Sequence, residues 1–181
     1  MAKLPDALYK LLLRQGHIEL TNSFYYLQMC YWASDKHFPG TSAYFKYQYE
    51  EETSHALTFF NFVDKRSHFV QLDALEPLKT NFTSAVDIFQ LYFERESANA
   101  EHINQLAIEA QKHQDWSTVS FLKNFLDDQI SEVAQAEEFL VKAKAYSSTP
   151  GLFYEFDKEL KSYIPSNGLT ISNHLKPASQ D

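Results

Sequence analysis

The sequence predicts an all-α protein: a four-helix bundle with one long crossover connection and a short fifth helix. Three observations carry this. Glycine occurs only 4 times in 181 residues while Phe (15) and Tyr (11) are abundant, and Val runs are few, a composition that favours helices over sheet. Four stretches place their inward positions at alternating steps of three and four, the period of a helix buried on one face. The connections between those stretches are short, long and short, which fixes how the helices run.

The first helix is expected from about Pro5 to Ser34, with proline suited to a first turn and Pro39-Gly40 closing the connection. A second covers about Thr41 to His68. Residues Phe69 to Phe82, which include Pro77, lack helical periodicity. The third helix starts at Thr83 or Ser84, where Ser84 with Asp87 three residues on resembles a capping box, and runs to about His113. Asp115 can cap the fourth, which continues to about Tyr146. Thr149-Pro150 reads as N-cap and first position of a short fifth helix ended by Pro165. One domain, 1–165, is expected, with 166–181 a loose polar tail. The short loops make helices one and two, and three and four, antiparallel pairs. The connection of about 14 residues can cross helices of about 45 Å at about 3.3 Å per residue, so helices two and three should run parallel.

The stripes then show where the chemistry lies. Helix one gives Leu12, Gln15, Glu19, Asn22, Tyr26, Met29 and Ala33; helix two gives Phe45, Gln48, Glu52, His55, Phe59 and Phe62. Helix three gives Phe89, Phe93, Glu96, Ala100, Ile103 and Ala107; helix four gives Val119, Leu122, Leu126, Gln129, Val133, Ala136 and Leu140. Glu19, Glu52, His55, Glu96 and Gln129 therefore sit mid-helix where a core wants apolar side chains. Burying carboxylates is costly unless they are paired, protonated or bound to metal. Glu52 and His55 stand one turn apart and can reach the same point. Glu-x-x-His alone is a weak signal, since His17-Ile18-Glu19 and Glu101-His102 show how easily such pairs arise. Three carboxylates and one imidazole meeting at one level form an oxygen-rich set of the kind that holds two iron ions in a bundle.

Charge and composition narrow the alternatives. The net charge of −8, with no basic stripe, speaks against a nucleic-acid partner. No run approaches the roughly 20 apolar residues of a membrane span, and no secretory leader is recognisable after Lys3 and Pro5. The single Cys30 excludes an intrachain disulfide and fits a reducing compartment, so a cytoplasmic location is expected.

From about Leu8 to Tyr163 the chain resembles the non-haem ferritins of bacterial type. The resemblance rests on Ile18-Glu19-Leu20 with Tyr26 seven residues on, and on Glu51-Glu52-Thr53-Ser54-His55. It rests also on Glu96, on Asp128-Gln129, and on the terminal Leu152–Leu160 segment. It implies a ferroxidase that oxidises Fe²⁺ with dioxygen or peroxide at a di-iron centre and stores ferric mineral in a hollow homo-oligomer of 24 subunits. Glu19 and His55 would hold the first iron, Glu52 would bridge, Glu96 would hold the second, and Gln129 would stand beside it. Tyr26 resembles the family tyrosine that can supply an electron; a core aromatic bonded to a carboxylate is the other reading. Glu51, Asp128 and Glu132 resemble the acids of a third iron site, set against a plain hydrophilic surface, with Ser131 where a further acid often stands. Thr53 and Gln129-x-x-Glu132 depart from the haem-binding relatives, so no haem is expected. Residues Ser117 to Leu122 carry no acid, which leaves the route by which iron reaches the centre open. A rubrerythrin-like di-iron peroxidase is the rival class, but its second Glu-x-x-His and its Cys-x-x-Cys are absent. Tyr25, Trp32, Phe60 and Val63, apolar residues off the inward stripe, are expected to form subunit contacts.

Overall fold

The computed structural model describes residues 4–66, 68–75, 77–78, 80–149 and 151–166. Regular structure among them is entirely helical: α1 (Asp6–Asp35), α2 (Pro39–Lys65), α3 (Ala85–Lys112), α4 (Trp116–Ser147) and α5 (Phe153–Leu160), then a 3₁₀ turn at Lys161–Tyr163. Pro39 opens α2 at its first turn and does not close the preceding connection. Its fixed φ and missing N–H suit that place. The Ser84/Asp87 capping box and the Asp115 cap, bonded to Thr118 N, form as expected. The fifth helix begins at Phe153, later than Thr149-Pro150 suggested; Pro150 and the expected tail beyond Ser166 lie outside the described residues.

The two short connections share one geometry. Phe38 N donates to Ala33 O (2.9 Å) and His37 N to Ser34 O (3.1 Å). Asp115 N donates to Ala110 O (3.0 Å) and Gln114 N to Gln111 O (2.9 Å) in the same pattern. Both close helix ends by crossed bonds around a left-handed residue, His37 at φ 59° and Gln114 at φ 52°.

The crossover runs alongside α1 and in its direction. Tyr9 Oη donates to Phe69 O (3.0 Å), Asp73 N to His17 Nε2 (2.9 Å) and Trp32 Nε1 to Phe82 O (3.1 Å). It returns the chain to the level where α2 began, so α3 starts beside that end and runs parallel to α2. The ring of Phe45 accordingly meets Phe89, and Tyr44 meets Tyr92. The crossover side also buries much of the surplus apolar surface. Tyr25, Phe60 and Val63 are buried within the chain, and Trp32 is half-buried against Phe82. The expectation that Tyr25, Phe60 and Val63 face other subunits is therefore corrected, while Trp32 keeps part of its surface open.

Helix α2 is tied at both ends. Arg66 forms a two-pronged pair with Asp115 (Nη1–Oδ1 3.0 Å, Nη2–Oδ2 2.6 Å), joining its C-terminus to the start of α4. Asp157 of α5 accepts from Gly40 N (3.0 Å), Thr41 N (2.7 Å) and Thr41 Oγ1 (2.8 Å), capping the α2 N-terminus across 116 residues. Gly40 is obligatory there, since a Cβ would lie 1.6 Å from the Asp157 carbonyl oxygen.

The core has two apolar halves. Tyr26, Tyr44, Phe45, Phe89, Tyr92, Phe139 and Phe156 fill one. Leu8, Leu12, Phe59, Val63, Ile103, Leu122 and Phe125 fill the other. Between them lies a buried polar layer of Gln15, Glu19, Asn22, Gln48, Glu52, Glu96, Asn99 and Gln129. On α3 and α4 the stripe differs by one residue from the expected one. Tyr92, Asn99 and Phe125 point inward, whereas Phe93, Ala100 and Leu126 are only half-buried. A helix turns 100° per residue, so adjacent apolar residues compete for the core and packing decides between them.

Candidate metal centre

Each helix of the bundle contributes to the polar layer: Glu19 from α1, Glu52 and His55 from α2, Glu96 from α3 and Gln129 from α4. Glu19 and Glu96 are 0% exposed, Glu52 2% and Gln129 5%. The His55 side chain keeps a 20% exposed edge. Glu19, Glu52 and His55 offer ligand atoms that all lie within 4.8 Å of one another. Nδ1 of His55 is 3.7 Å from Glu52 Oε2. Glu51, His55 and Glu132 form a second such set, half-buried and sharing the same imidazole. Asp128 is outside that set; it is exposed and lines a recess of about 230 Å³ with His55, Thr58 and Asn124.

The carboxylates are held in distinct ways. Both oxygens of Glu19 accept from amides: Oε1 from Gln15 Nε2 (2.8 Å) and Oε2 from Asn99 Nδ2 (3.1 Å). Gln15 Nε2 also reaches Asn99 Oδ1 (2.6 Å), locking the two amides together. Glu96 Oε1 accepts from Tyr26 Oη at 2.5 Å. Gln129 Nε2 donates to the Glu132 carboxylate, which fixes its amide orientation. Glu51 accepts from Tyr47 Oη (3.0 Å) and Gln48 Nε2 (2.8 Å).

Crowding these acids in a dry layer favours their neutral forms. Burial, then the charge of Glu19, holds Glu52 well above the usual carboxylate range. Burial pushes Glu96 up to about 8, against the opposing pull of the Tyr26 hydroxyl. Burial and the charges of Glu96 and Glu51 raise Glu132 to about 9. Tyr26 is raised as well, by burial and by Glu96, so its phenol stays protonated.

A cation would suit this layer. Glu52 Oε2, Glu96 Oε2 and Gln129 Oε1 are buried oxygens that no donor reaches. Such acceptors are expensive in a core. A divalent ion satisfies acceptors, replaces the protons and offsets the repulsion among the acids. Several carboxylates with one imidazole match the preferences of iron.

The Ferritin-like domain pattern matches residues 9–145. The chain belongs to the ferritin-like family. Among curated proteins this ferritin-like chain is similar to the bacterial non-heme ferritin of Escherichia coli O6:H1. The two are 28% identical over 154 residues, 84% of this chain and 93% of the relative. That of Campylobacter jejuni is 27% identical over 153 residues, 84% and 92% of the two chains. In structure it is similar to an open-pore ferritin from Archaeoglobus fulgidus, with TM-score 0.84, 27% identity, and 89% and 98% coverage. A PmFTN variant soaked in iron gives TM-score 0.81 at 31% identity, covering 85% of this chain and 99% of that one. The family expected from the residues is the family found.

Two features of the site escaped the sequence reading. Asn99 went unnoticed because the α3 stripe was drawn through Ala100. That His55 belongs to two ligand sets cannot be seen without the placement of α4, which brings Glu132 to it.

Proposed function

We propose that the chain is an iron-storage ferritin subunit that oxidises Fe²⁺ at the centre formed by Glu19, Glu52, His55, Glu96 and Gln129. The observation that carries this is the layer of three fully or nearly fully buried carboxylates converging from three helices, with acceptor oxygens lacking donors. Glu19, Glu52 and His55 bind the first Fe²⁺; Glu52 and Glu96 bind the second, and Gln129 stands beside it as a neutral neighbour. Two Fe²⁺ each lose one electron. Dioxygen takes both, with two protons, to leave as hydrogen peroxide; if peroxide is the oxidant, it takes the same two electrons and two protons, its O–O bond breaks and two waters form. Carboxylate charge favours Fe³⁺ over Fe²⁺ and eases the electron loss. Tyr26 can supply one of these two electrons in place of an iron that has not bound; the phenolic proton then passes to Glu96 Oε1 along the 2.5 Å hydrogen bond and a tyrosyl radical remains.

Glu51 and Glu132 serve as the third iron position, half-open toward the α2–α4 face, with Asp128 on the way out; His55 lies within reach of both positions and serves one iron at a time. Storage needs a closed shell, and we infer 24 copies of this chain around a mineral cavity. Support comes from the apolar side chains left on the surface, Tyr31, Trp116, Ile130 and Val141, each more than 60% exposed. The test is the double variant Glu52→Leu/His55→Leu. It should keep its helical content and particle mass while rapid Fe²⁺ oxidation, followed by ferric absorbance, disappears. Wild-type oxidation rates in that variant would remove the assigned centre.

A further inference from the structure

Asn22 follows Glu19 by three residues and precedes Tyr26 by four, so it shares their face of α1, one turn from each. It is 1% exposed, and neither its Oδ1 nor its Nδ2 has a hydrogen-bond partner. The neighbouring amides are engaged. Gln15 and Asn99 hold Glu19, and Gln129 Nε2 is spent on Glu132. Among the described residues of the polar layer, Asn22 Nδ2 is the one donor without an acceptor. An amide so placed is a poor core residue, because a leucine of similar size would pack there without two desolvated polar atoms. Its use has to come from something that enters the layer.

The layer is rich in acceptors for a cation and poor in donors for anything else. A cation at the carboxylates has no need of another neutral oxygen. An oxygen molecule gaining electrons there becomes a strong acceptor and needs a donor, aimed from a neutral group that leaves the iron positions' charge unchanged. We propose that Asn22 binds the oxidant: its Nδ2–H donates to dioxygen, or to peroxide, at the iron centre, while the carboxylates hold the metal. The proposal rests on the iron-centre reading and extends it to a residue on the same helix face.

The test separates the two. The assembled protein is loaded with Co²⁺ in place of iron, and azide, a small anionic acceptor standing in for the reduced oxidant, is titrated while the Co²⁺ absorption is followed. Asn22→Leu and Asn22→Ala should each keep Co²⁺ affinity within about twofold and lose about tenfold or more in azide affinity, as expected for a hydrogen bond to a charged group. The alanine variant covers the case in which leucine does not pack. Unchanged azide affinity in the variants overturns the proposal. So does a parallel fall in Co²⁺ affinity, which would make Asn22 a metal ligand, or failure of the loaded wild type to take azide. A wild type that does not bind Co²⁺ defeats the iron-centre reading itself.

Discussion

Raising the pH should destabilise the metal-free protein in a range where most proteins are insensitive. Burial pushes Glu96 up to about 8 and Glu132 up to about 9 in the fold, whereas an unfolded glutamate titrates at ~4.3. Between those limits the folded chain holds protons that the unfolded chain has released. Stability then falls as pH rises, by about 1.4 kcal/mol per pH unit for each extra proton. Because the charge of Glu96 is part of what raises Glu132, the two do not add in full, and the slope lies between about 1.4 and about 2.7 kcal/mol per unit, or about 3–5 kcal/mol from pH 5.5 to 7.5. Glu52, raised in the same direction, can only steepen it. The stabilisation is complete below the unfolded value and is gone once the pH passes the folded ones. Asp87, Glu109 and Asp115 are shifted the other way, so their contributions vanish only in acid and leave this window untouched. Guanidinium unfolding of chelator-treated protein at pH 5.5, 6.5 and 7.5 measures the slope. Glu96→Gln should remove about one proton's share, and a bound divalent ion should flatten the line by displacing the protons. Metal-free stability that is level or rising across these pH values refutes the picture of a protonated acid layer.

Gly40→Ala forces a Cβ into the Asp157 backbone and should separate α5 from α2, with loss of about 2–4 kcal/mol in guanidinium unfolding and faster hydrogen exchange at Thr41; unchanged stability would show that α5 docks otherwise. Gln129→Glu replaces the donor to Glu132 with a second acid and adds charge beside the second iron position. The first round of Fe²⁺ oxidation should survive and later rounds slow as Fe³⁺ is retained, so equal multi-turnover rates in stopped flow would contradict the role given to Gln129.

The fold was legible in the sequence because its largest signals are local. Ser84 with Asp87 and Asp115 with Thr118 form their caps from residues three apart. The long stretch after α2 could only be a crossover. Glu19, Glu52, Glu96 and Gln129 stood out because a charged or amide side chain in an apolar stripe is conspicuous at helical spacing. What stayed hidden depends on distant segments. Residue register on α3 and α4 was undecidable where Tyr92 and Phe93, or Phe125 and Leu126, are equally apolar neighbours. The burial of Phe60 and Val63 needed to be seen with α1 and the crossover in place. Asp157 is one acid among several on a short helix, and only the docking of α5 turns it into the cap of α2.

That pair of attachments has a mechanical meaning. Helix α2, which carries Glu51, Glu52 and His55, is a beam clamped at one end by the Arg66–Asp115 fork and at the other by the Asp157 carboxylate. A clamped beam can neither slide along its axis nor rotate about it. When the charge in the middle of the bundle changes, the response must fall to side-chain torsions. His55, with a foot in two ligand sets, is the torsion best situated to make it.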